Sequence, residues 1–373
     1  MSTTPLFKSE HPMTSKERIT RILKRQPVDR VGCFESFWGD ALRKWRAEGH
    51  LRQEESPCDH FSLDLRHSGW FNMVADLDFE DQIIEETDEH KLVRSGNGAV
   101  LRWWKDKAGT PEHVDFLVKD RASWEEHARP HLTNPDTYRR RINFEAYRKA
   151  RKDAEQRDLF FCWGGVNVFE CIHPVSGHEY MLMGMALDPD WVRDMCNVYA
   201  DLTINLFEIL FAEEGAPDGV YFFEDMGFKQ KPFMSPAMYK DIVWPAHKKT
   251  FDYAHSKGVS VLVHSCGYVE PLVPGLIEAG MDCLQAMEVK AGMDLVELKR
   301  KYGDRIAFCG GLDIRTLVAN DRDAIEAELQ KKLPVAMQGS GYILHSDHSI
   351  PDQVEYETYK FFLERGLEMG TYQ

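Results

Sequence analysis

The unit that decides the fold runs from Gly219 to Val263. It reads Gly219-Val-Tyr-Phe-Phe223, then a helical segment from Pro236 to Lys257, then Val259-Ser-Val-Leu-Val263. Both short runs are almost wholly apolar, so they predict strands that are buried on both faces. Buried strands that alternate with helices are typical of a parallel sheet.

The same unit repeats from Leu159 onward, and two weaker strands are predicted nearer the start, at Val28–Phe34 and Phe61–Leu65. Eight strands with intervening helices predict an α/β fold, a single (β/α)₈ TIM barrel. A doubly wound sheet is the alternative, but no Gly-x-Gly-x-x-Gly follows any strand, so its dinucleotide-binding use is unsupported. The other predicted strands are Leu159-Phe-Phe-Cys-Trp163, Asp282-Cys-Leu-Gln-Ala286, Arg305-Ile-Ala-Phe308 and Gly341-Tyr-Ile-Leu344.

Residues 1–373 are predicted to form one barrel domain with two additions. The first is an N-terminal helical extension over 1–27, because Thr14-Ser-Lys-Glu17 is a capping-box pattern and Pro27 ends the helix that it opens. The second is a β-hairpin insertion over 88–118, because Gly96-Asn-Gly98 is a tight-turn signal between two strand-like runs.

The charge balance excludes several partners. The chain has 46 basic and 61 acidic residues, a formal net charge of −15, which would repel a nucleic-acid backbone. It has neither a signal-peptide pattern nor eighteen consecutive apolar residues, so we expect a cytoplasmic protein with no membrane partner. Its eight cysteines follow no framework spacing, so disulfides are not expected. A homodimer is the default expectation for a soluble oligomer.

Polar residues follow the predicted strands at the point where each strand ends. Glu224-Asp225, His264-Ser-Cys266 and His345-Ser-Asp-His348 come directly after apolar runs. Active sites of TIM barrels assemble at the carboxyl ends of the strands, so these side chains are predicted to converge there and to act on a small-molecule substrate.

His264 and Cys266 give the sharpest signal. On extended backbone, positions i and i+2 point to the same side, so an imidazole and a thiolate can bind one ion, and these ligands suit Zn²⁺ better than Mg²⁺ or Ca²⁺. No nearby Cys-x-x-Cys supplies further ligands, so they must come from other strand ends. Glu224 is a candidate ligand, and a helix-capping carboxylate is the alternative. A core cysteine beside a hydrogen-bonded histidine is the alternative for the pair.

Several motifs together resemble a known family. Val263-His-Ser-Cys-Gly267, Ser235-Pro-Ala-Met-Tyr-Lys240, Gly310-Gly-Leu-Asp313 and Pro27-Val-Asp-Arg-Val31 look like the uroporphyrinogen decarboxylase superfamily, specifically its zinc-dependent methyltransferase branch. The resemblance implies a (β/α)₈ barrel with His264 and Cys266 as zinc ligands. It also implies a thiol acceptor, usually coenzyme M, that binds zinc as a thiolate and takes a methyl group from a corrinoid protein.

The chain departs from that branch at one ligand. The branch places a further cysteine after the last strand, and this sequence has His348 there. The predicted metal ligands are therefore His264, Cys266, His348 and Glu224, and the predicted catalytic residues are Glu224, Asp225 and His348. True uroporphyrinogen decarboxylases carry an Arg-rich motif where this chain reads Cys33-Phe-Glu-Ser-Phe-Trp38, so a porphyrinogen with eight carboxylates is disfavoured.

Aromatic and imidazole side chains near the strand ends could form the wall of a pocket. Trp38, Trp163 and His178 are predicted to bind a corrin face or an aromatic ether, although tryptophans are more often plain core.

Three functions fit these residues. The first is a zinc-dependent methyltransferase or demethylase that moves a methyl group between a corrinoid protein or methoxy compound and a zinc-activated acceptor such as a thiol. The second is a metal-free decarboxylase of a small carboxylate, with His348 and Asp225 transferring protons. The third is a non-catalytic corrinoid- or metabolite-binding barrel.

Overall fold

Residues 13–106 and 111–372 are described by the computed structural model. Eight parallel strands form one sheet in the order β1-β14-β13-β12-β11-β8-β7-β2, and helices surround it, so the predicted (β/α)₈ barrel is confirmed. In chain order the strands are β1 (Gly32–Cys33), β2 (Leu65–Ser68), β3 (Gln82–Glu86), β4 (His90–Arg94), β5 (Val100–Trp104), β6 (Glu112–Asp115), β7 (Phe160–Val166), β8 (Gly219–Phe223), β9 (Gly227–Phe228), β10 (Lys231–Pro232), β11 (Ser260–Ser265), β12 (Cys283–Ala286), β13 (Ala307–Gly310) and β14 (Tyr342–Leu344).

The helices follow the barrel strands on the outside, apart from those of the N-terminal region. The α-helices are α1 (Ser15–Leu23), α2 (Gly39–Ala47), α3 (Pro57–His60), α4 (Arg121–His127), α5 (Arg129–Leu132), α6 (Phe144–Gln156), α7 (Val168–Leu187), α8 (Pro189–Glu214), α9 (Pro236–Met238), α10 (Trp244–Ser256), α11 (Val273–Ala279), α12 (Leu295–Tyr302), α13 (Ile314–Val318), α14 (Arg322–Ala336) and α15 (Tyr356–Met369).

The inside of the barrel is a packed apolar core. Side chains alternate between the two faces of each strand, so every second residue points to the barrel axis. Ile19 and Ile22 of α1 pack against this interior set, so α1 covers the amino-terminal end of the barrel. The interior residues are Phe160, Cys162, Tyr221, Leu262, Cys283, Ala307, Cys309 and Ile343.

A buried carboxylate joins the two strands at which the barrel closes. The backbone N–H of Asp64 donates to the carbonyl of Cys33 at 2.8 Å, and the Asp64 carboxylate accepts from the N–H of Cys33, also at 2.8 Å. Arg18 and Arg30 donate to the same carboxylate at 2.8 and 2.7 Å. Asp64 is fully buried, so its charge depends on these two guanidinium groups.

The first strand also pairs with the far end of the chain. β1 runs parallel to β14, with Cys33 opposite Leu344. Val31 donates its N–H to the carbonyl of Gly370, and Tyr372 donates to the carbonyl of Asp29, both at 2.9 Å.

The segment between β2 and α4 forms an antiparallel sheet outside the barrel. β3, β4, β5 and β6 pair in that order, and the two runs predicted as a hairpin are its middle strands. Residues 107–110 of the predicted insertion and residues 1–12 of the predicted N-terminal extension lie outside the described residues.

One helix of the described residues, α8, is long and apolar enough to cross a membrane by length and composition. Its most apolar window is 56% buried, and the helix packs beside α7 and α10. This burial is typical of a core helix in a soluble protein, and the barrel fold agrees with that reading.

We expect Asp64→Ala to lower the free energy of unfolding by about 3–5 kcal/mol, because it removes the ion-pair partner of the buried Arg30 and leaves the buried Arg18 with Asp29 alone. Denaturant unfolding followed by circular dichroism measures the change. Asp78→Asn, which removes an exposed partner of Arg140, is the matched control and should leave the midpoint close to that of the wild type. An Asp64→Ala midpoint equal to that of the control would contradict the closing role of Asp64.

Candidate metal centre

The polar residues at the end of β8 divide between the two faces of the sheet. Tyr221 belongs to the barrel interior and Phe222 packs outward among the helices. The same alternation continues past the strand, so Asp225 follows Tyr221 to the inside and Glu224 follows Phe222 to the outside. Two adjacent carboxylates therefore have different surroundings.

Asp225, His264 and Cys266 meet at the carboxyl ends of β8 and β11; we call these three residues the thiol cluster. One ligand atom from each lies within 4.8 Å of the others. The Nε2 atom of His264 is 3.1 Å from Sγ of Cys266 and 3.4 Å from Oδ1 of Asp225. The backbone N–H of Cys266 donates to Oδ1 of Asp225 at 2.9 Å, which ties the two strand ends together.

The backbone around the thiol cluster is held by a close contact between two glycines. Gly267 has φ +73°, and a Cβ atom there would lie 2.4 Å from the carbonyl carbon of Gly227. The chain after β11 therefore packs directly on the chain after β8. A side chain at Gly267 would separate Cys266 from Asp225.

Gln285 orients the imidazole of His264. The Oε1 atom of Gln285 hydrogen-bonds to Nδ1 of His264 and accepts from the hydroxyl of Tyr221. Since an amide oxygen only accepts, Nδ1 of His264 must carry the proton, and Nε2 then keeps its lone pair for a ligand. Gln285 acts here as the outer support that metal-bound histidines usually have. Sequence reasoning missed it, because it lies inside an apolar run.

The surroundings of Cys266 favour a cation. Burial and the negative charges of Asp225 and Glu288 raise the pKa of the Cys266 thiol far above its ordinary value. The thiol therefore keeps its proton at neutral pH unless a positive charge is added next to it. Sulfur, imidazole nitrogen and carboxylate oxygen are together a donor set that suits Zn²⁺, so the residues present fit this ion.

Glu224 is not brought to the thiol cluster. Its carboxylate accepts from the N–H groups of Phe169 and Glu170 at 2.9 and 3.0 Å, and Oε1 lies 2.7 Å from Nε2 of His247. Glu224 is fully buried in this arrangement. It therefore caps the first turn of α7, which is the alternative that the sequence left open.

The other predicted site residues lie at three different places. His348 is outside the thiol cluster, and its ring stacks against that of Trp38 with the centroids 6.2 Å apart. Trp38 is 43% exposed, at the rim of the barrel. Trp163 is fully buried on the outer face of β7 against Tyr147, so it does not line a pocket. His178 lies on α7 and is not one of the three residues of the thiol cluster, although the charge of Asp225 acts on it.

The chain matches the family described as Uroporphyrinogen decarboxylase (URO-D) over residues 121–368. It belongs to the uroporphyrinogen decarboxylase family. The matched region begins just after the antiparallel sheet and includes the whole thiol cluster, so the family assignment and the candidate site concern the same part of the molecule.

One solved structure has a fold similar to that of this uroporphyrinogen decarboxylase family member. A methyltransferase from Methanosarcina mazei is 17% identical with a TM-score of 0.64, over 95% of this chain and 99% of that one. A chitinase from Chromobacterium violaceum is 10% identical with a TM-score of 0.41, over 90% of this chain and 99% of that one. At these identities the likeness concerns the fold alone, and the second carries no argument. No curated protein matches the chain.

A second polar pair lies inside the barrel rim. His345 and Glu35 are both buried, with Nε2 of His345 3.2 Å from Oε1 of Glu35. Burial raises the pKa of Glu35 to about 8, against the lowering effect of hydrogen bonds from Ser346 and Ser36. Burial lowers the pKa of His345 to about 3. Both pKa shifts favour the neutral form of the group concerned.

We expect Gln285→Ala to weaken Co²⁺ binding at the thiol cluster by about 10–100-fold, because His264 loses the partner that fixes its ring. Titration with Co²⁺, followed by the thiolate-to-cobalt charge-transfer band, reports on this cluster alone. Gln338→Ala, at an exposed position, is the control and should bind like the wild type. Equal affinities of the two variants would show that Gln285 does not support the site.

Glu35 should make stability depend on pH. The pKa of Glu35 in the folded protein, about 8, exceeds the ordinary value of 4.5. Between these two pH values the native state therefore keeps a proton that the unfolded chain releases. As pH rises through this range, the contribution of Glu35 to the free energy of unfolding falls. We expect Glu35→Gln to remove this slope in denaturant unfolding measured across that range. Glu54→Gln, at an exposed position, should keep it. A Glu35→Gln variant with the wild-type slope would contradict the assignment.

Proposed function

We propose that this protein is a zinc-dependent methyltransferase or demethylase. Zn²⁺ would be held by His264, Cys266 and Asp225. The methyl group would move between a corrinoid protein or a methoxy compound and an acceptor such as a thiol. The observation that carries the proposal is the thiol cluster itself, in which a sulfur, a nitrogen and an oxygen ligand converge at the active face of the barrel.

The ligand set supports an open catalytic site rather than a structural one. Structural zinc sites in proteins are usually closed by four side-chain ligands, whereas catalytic sites have three and leave one position open. Three side chains form the thiol cluster among the described residues. Zn²⁺ bound there would supply the positive charge that keeps an acceptor thiol deprotonated at neutral pH.

Each residue of the site has a distinct part in the proposal. Cys266 and His264 bind the ion from one strand end. Asp225 replaces Glu224 and His348 as the third ligand and holds the N–H of Cys266 in place. Gln285 keeps the proton of His264 on Nδ1, so the ring offers Nε2 to the ion.

The rim of the barrel offers a flat surface for a methyl donor. The rings of Trp38 and His348 stack at an interplanar angle of 27°, and the side chain of Trp38 is partly exposed to solvent. A flat, apolar group such as a corrin face or an aromatic ether is the chemistry that such a surface can bind. His348 therefore contributes to substrate binding in this proposal, and not to the metal.

The charge of the site argues against a carboxylate substrate. Asp225, Glu288 and Glu170 all act on Cys266 through their negative charges. A polycarboxylate would be repelled by this group and would need arginines in its pocket. Methyl transfer is also the activity named for the Methanosarcina mazei structure that shares the fold.

The direct test uses zinc-loaded protein, methylcobalamin and coenzyme M. In the expected reaction the thiolate sulfur bonds to the methyl carbon, the cobalt–carbon bond breaks, and its electron pair stays on cobalt, which gives a methyl thioether and cob(I)alamin. Absorbance follows the cobalamin, and mass spectrometry identifies the thioether. A second arm supplies a methoxy-aromatic compound with cob(I)alamin and looks for methylcobalamin.

Matched cysteine variants separate catalysis from background chemistry. Cys266→Ser should lose at least about 100-fold in rate, because the metal loses its thiolate ligand. Cys58→Ser, which changes a thiol on α3 outside the site, should retain the rate of the wild type. If the zinc-loaded wild type transfers no methyl group in either arm, the proposal is wrong. Release of CO₂ from a carboxylate by metal-free protein would support the decarboxylase instead.

A further inference from the structure

A second group of metal-ligating side chains lies on α7, outside the thiol cluster. It consists of Glu170, His173 and His178, and we call it the histidine cluster. One ligand atom from each lies within 4.8 Å of the others. The rings of His173 and His178 stack with their centroids 4.0 Å apart, and Nδ1 of His173 is 3.3 Å from Oε1 of Glu170. The two clusters have no residue in common.

The backbone of α7 is bent in a way that forms this cluster. In a straight α-helix, residues five positions apart point about 140° away from each other, so His173 and His178 would not meet. Gly177 interrupts the helix with φ 66° and ψ 164°, and the chain turns back toward His173. A Cβ atom at Gly177 would lie 2.4 Å from the ring of Phe116, so the bend requires glycine for its conformation and for space.

Hydrogen bonding within the protein leaves ligand atoms of the cluster unused. The Oε1 atom of Glu170 is already paired with the ring of His173, which lies three residues further along the same helix. This pairing leaves Oε2 of Glu170 and Nε2 of His178, which are buried and have no hydrogen-bond partner among the described residues. Buried polar atoms normally have partners, and a bound cation would satisfy both atoms at once.

The surroundings of the cluster also favour a cation. Glu170 is mostly buried, and it lies close enough to Asp225 and Glu224 for their negative charges to act on it. The ring of His113, from strand β6 of the antiparallel sheet, packs against His173 with the centroids 4.7 Å apart. The cluster is therefore a partly enclosed region of net negative charge with nitrogen ligands.

We propose that Glu170, His173 and His178 bind a second divalent transition-metal ion. Two imidazoles and one carboxylate are a donor set that proteins use for Zn²⁺ and Fe²⁺ with positions left open for water or substrate. The set contains no sulfur, so it differs in chemistry from the thiol cluster. The inference does not depend on methyl transfer, because it concerns different ligands and a second ion.

Metal stoichiometry of the full chain tests the inference. Bound metal is first removed from the protein with a chelator, and the protein is then loaded with Zn²⁺ and separated from excess ion. Inductively coupled plasma mass spectrometry then measures the molar ratio of zinc to protein. We expect two equivalents in the wild type, one in His173→Ala/His178→Ala and one in Cys266→Ser. The three substitutions combined should leave none. His127→Ala, which changes a partly exposed histidine of α4, is the matched control and should keep two.

Cobalt distinguishes which ion each variant has lost. With Co²⁺, Cys266→Ser should lose the thiolate charge-transfer band but keep the weaker d–d bands of an oxygen- and nitrogen-bound ion. His173→Ala/His178→Ala should keep the charge-transfer band. Glu170→Gln preserves the shape of the side chain, so it separates loss of metal binding from a folding defect. Its circular dichroism spectrum should match that of the wild type. Its affinity for Co²⁺ at the histidine cluster should fall by at least about tenfold.

The result that overturns the inference differs from the one that overturns the proposed function. If the wild type binds a single equivalent that Cys266→Ser removes, the histidine cluster holds no metal and the thiol cluster stands. If His173→Ala/His178→Ala still binds two equivalents, the second ion is held elsewhere and the inference is wrong. A third result is possible, in which the wild type binds two equivalents, His173→Ala/His178→Ala binds one and Cys266→Ser still binds two. That result would support metal binding at the histidine cluster and would show that the thiol cluster does not hold the other ion.

Discussion

The buried carboxylate of Asp64 is the interaction on which the barrel depends. β1 is only two residues long, and within the described residues no ladder pairs it with β2, so Asp64 joins the two with both its backbone and its side chain. Arg18 and Arg30 balance its charge in a place that water does not reach. A closed barrel fixes the distances between strand ends, and the thiol cluster uses two of those ends with support from a third. The geometry of the thiol cluster therefore depends on the junction between β1 and β2 that Asp64 forms.

The repeated strand–helix pattern and the spacing of His264 and Cys266 were sufficient to predict the fold and two of the candidate metal ligands, and Asp225 was predicted as a catalytic residue rather than as a ligand. Both rest on periodicity, which a sequence carries directly. The same periodicity distinguishes Glu224 from Asp225. Tyr221 lies in the barrel interior, and every second side chain of a strand points to the same face, so Asp225 lies inside and Glu224 outside. The same rule places Trp163 outside with Phe161. Applying the alternation to each strand would have corrected both assignments.

Other features depend on information that periodicity does not contain. Gln285 supports His264 because the register of β11 and β12 sets the two residues opposite each other, and register is a property of the pairing. His348 follows a strand but is carried to the rim, where the hydroxyl of Ser346 donates to its carbonyl. The histidine cluster forms because Gly177 breaks the helical repeat, so the spacing of its residues on an ideal helix is misleading.

The pairing of β1 with β14 has a consequence for how the protein is made. A ribosome releases the first strand long before it reaches Leu344, and until then β1 has no ladder partner and the carbonyl of Gly370 is not available to Val31. The strands from β7 to β13 can associate as they emerge, whereas the ring can close only after β14 and Gly370 have emerged. The nascent chain therefore passes through an open, curved sheet with two unpaired edges, which is the state that a chaperone would have to protect.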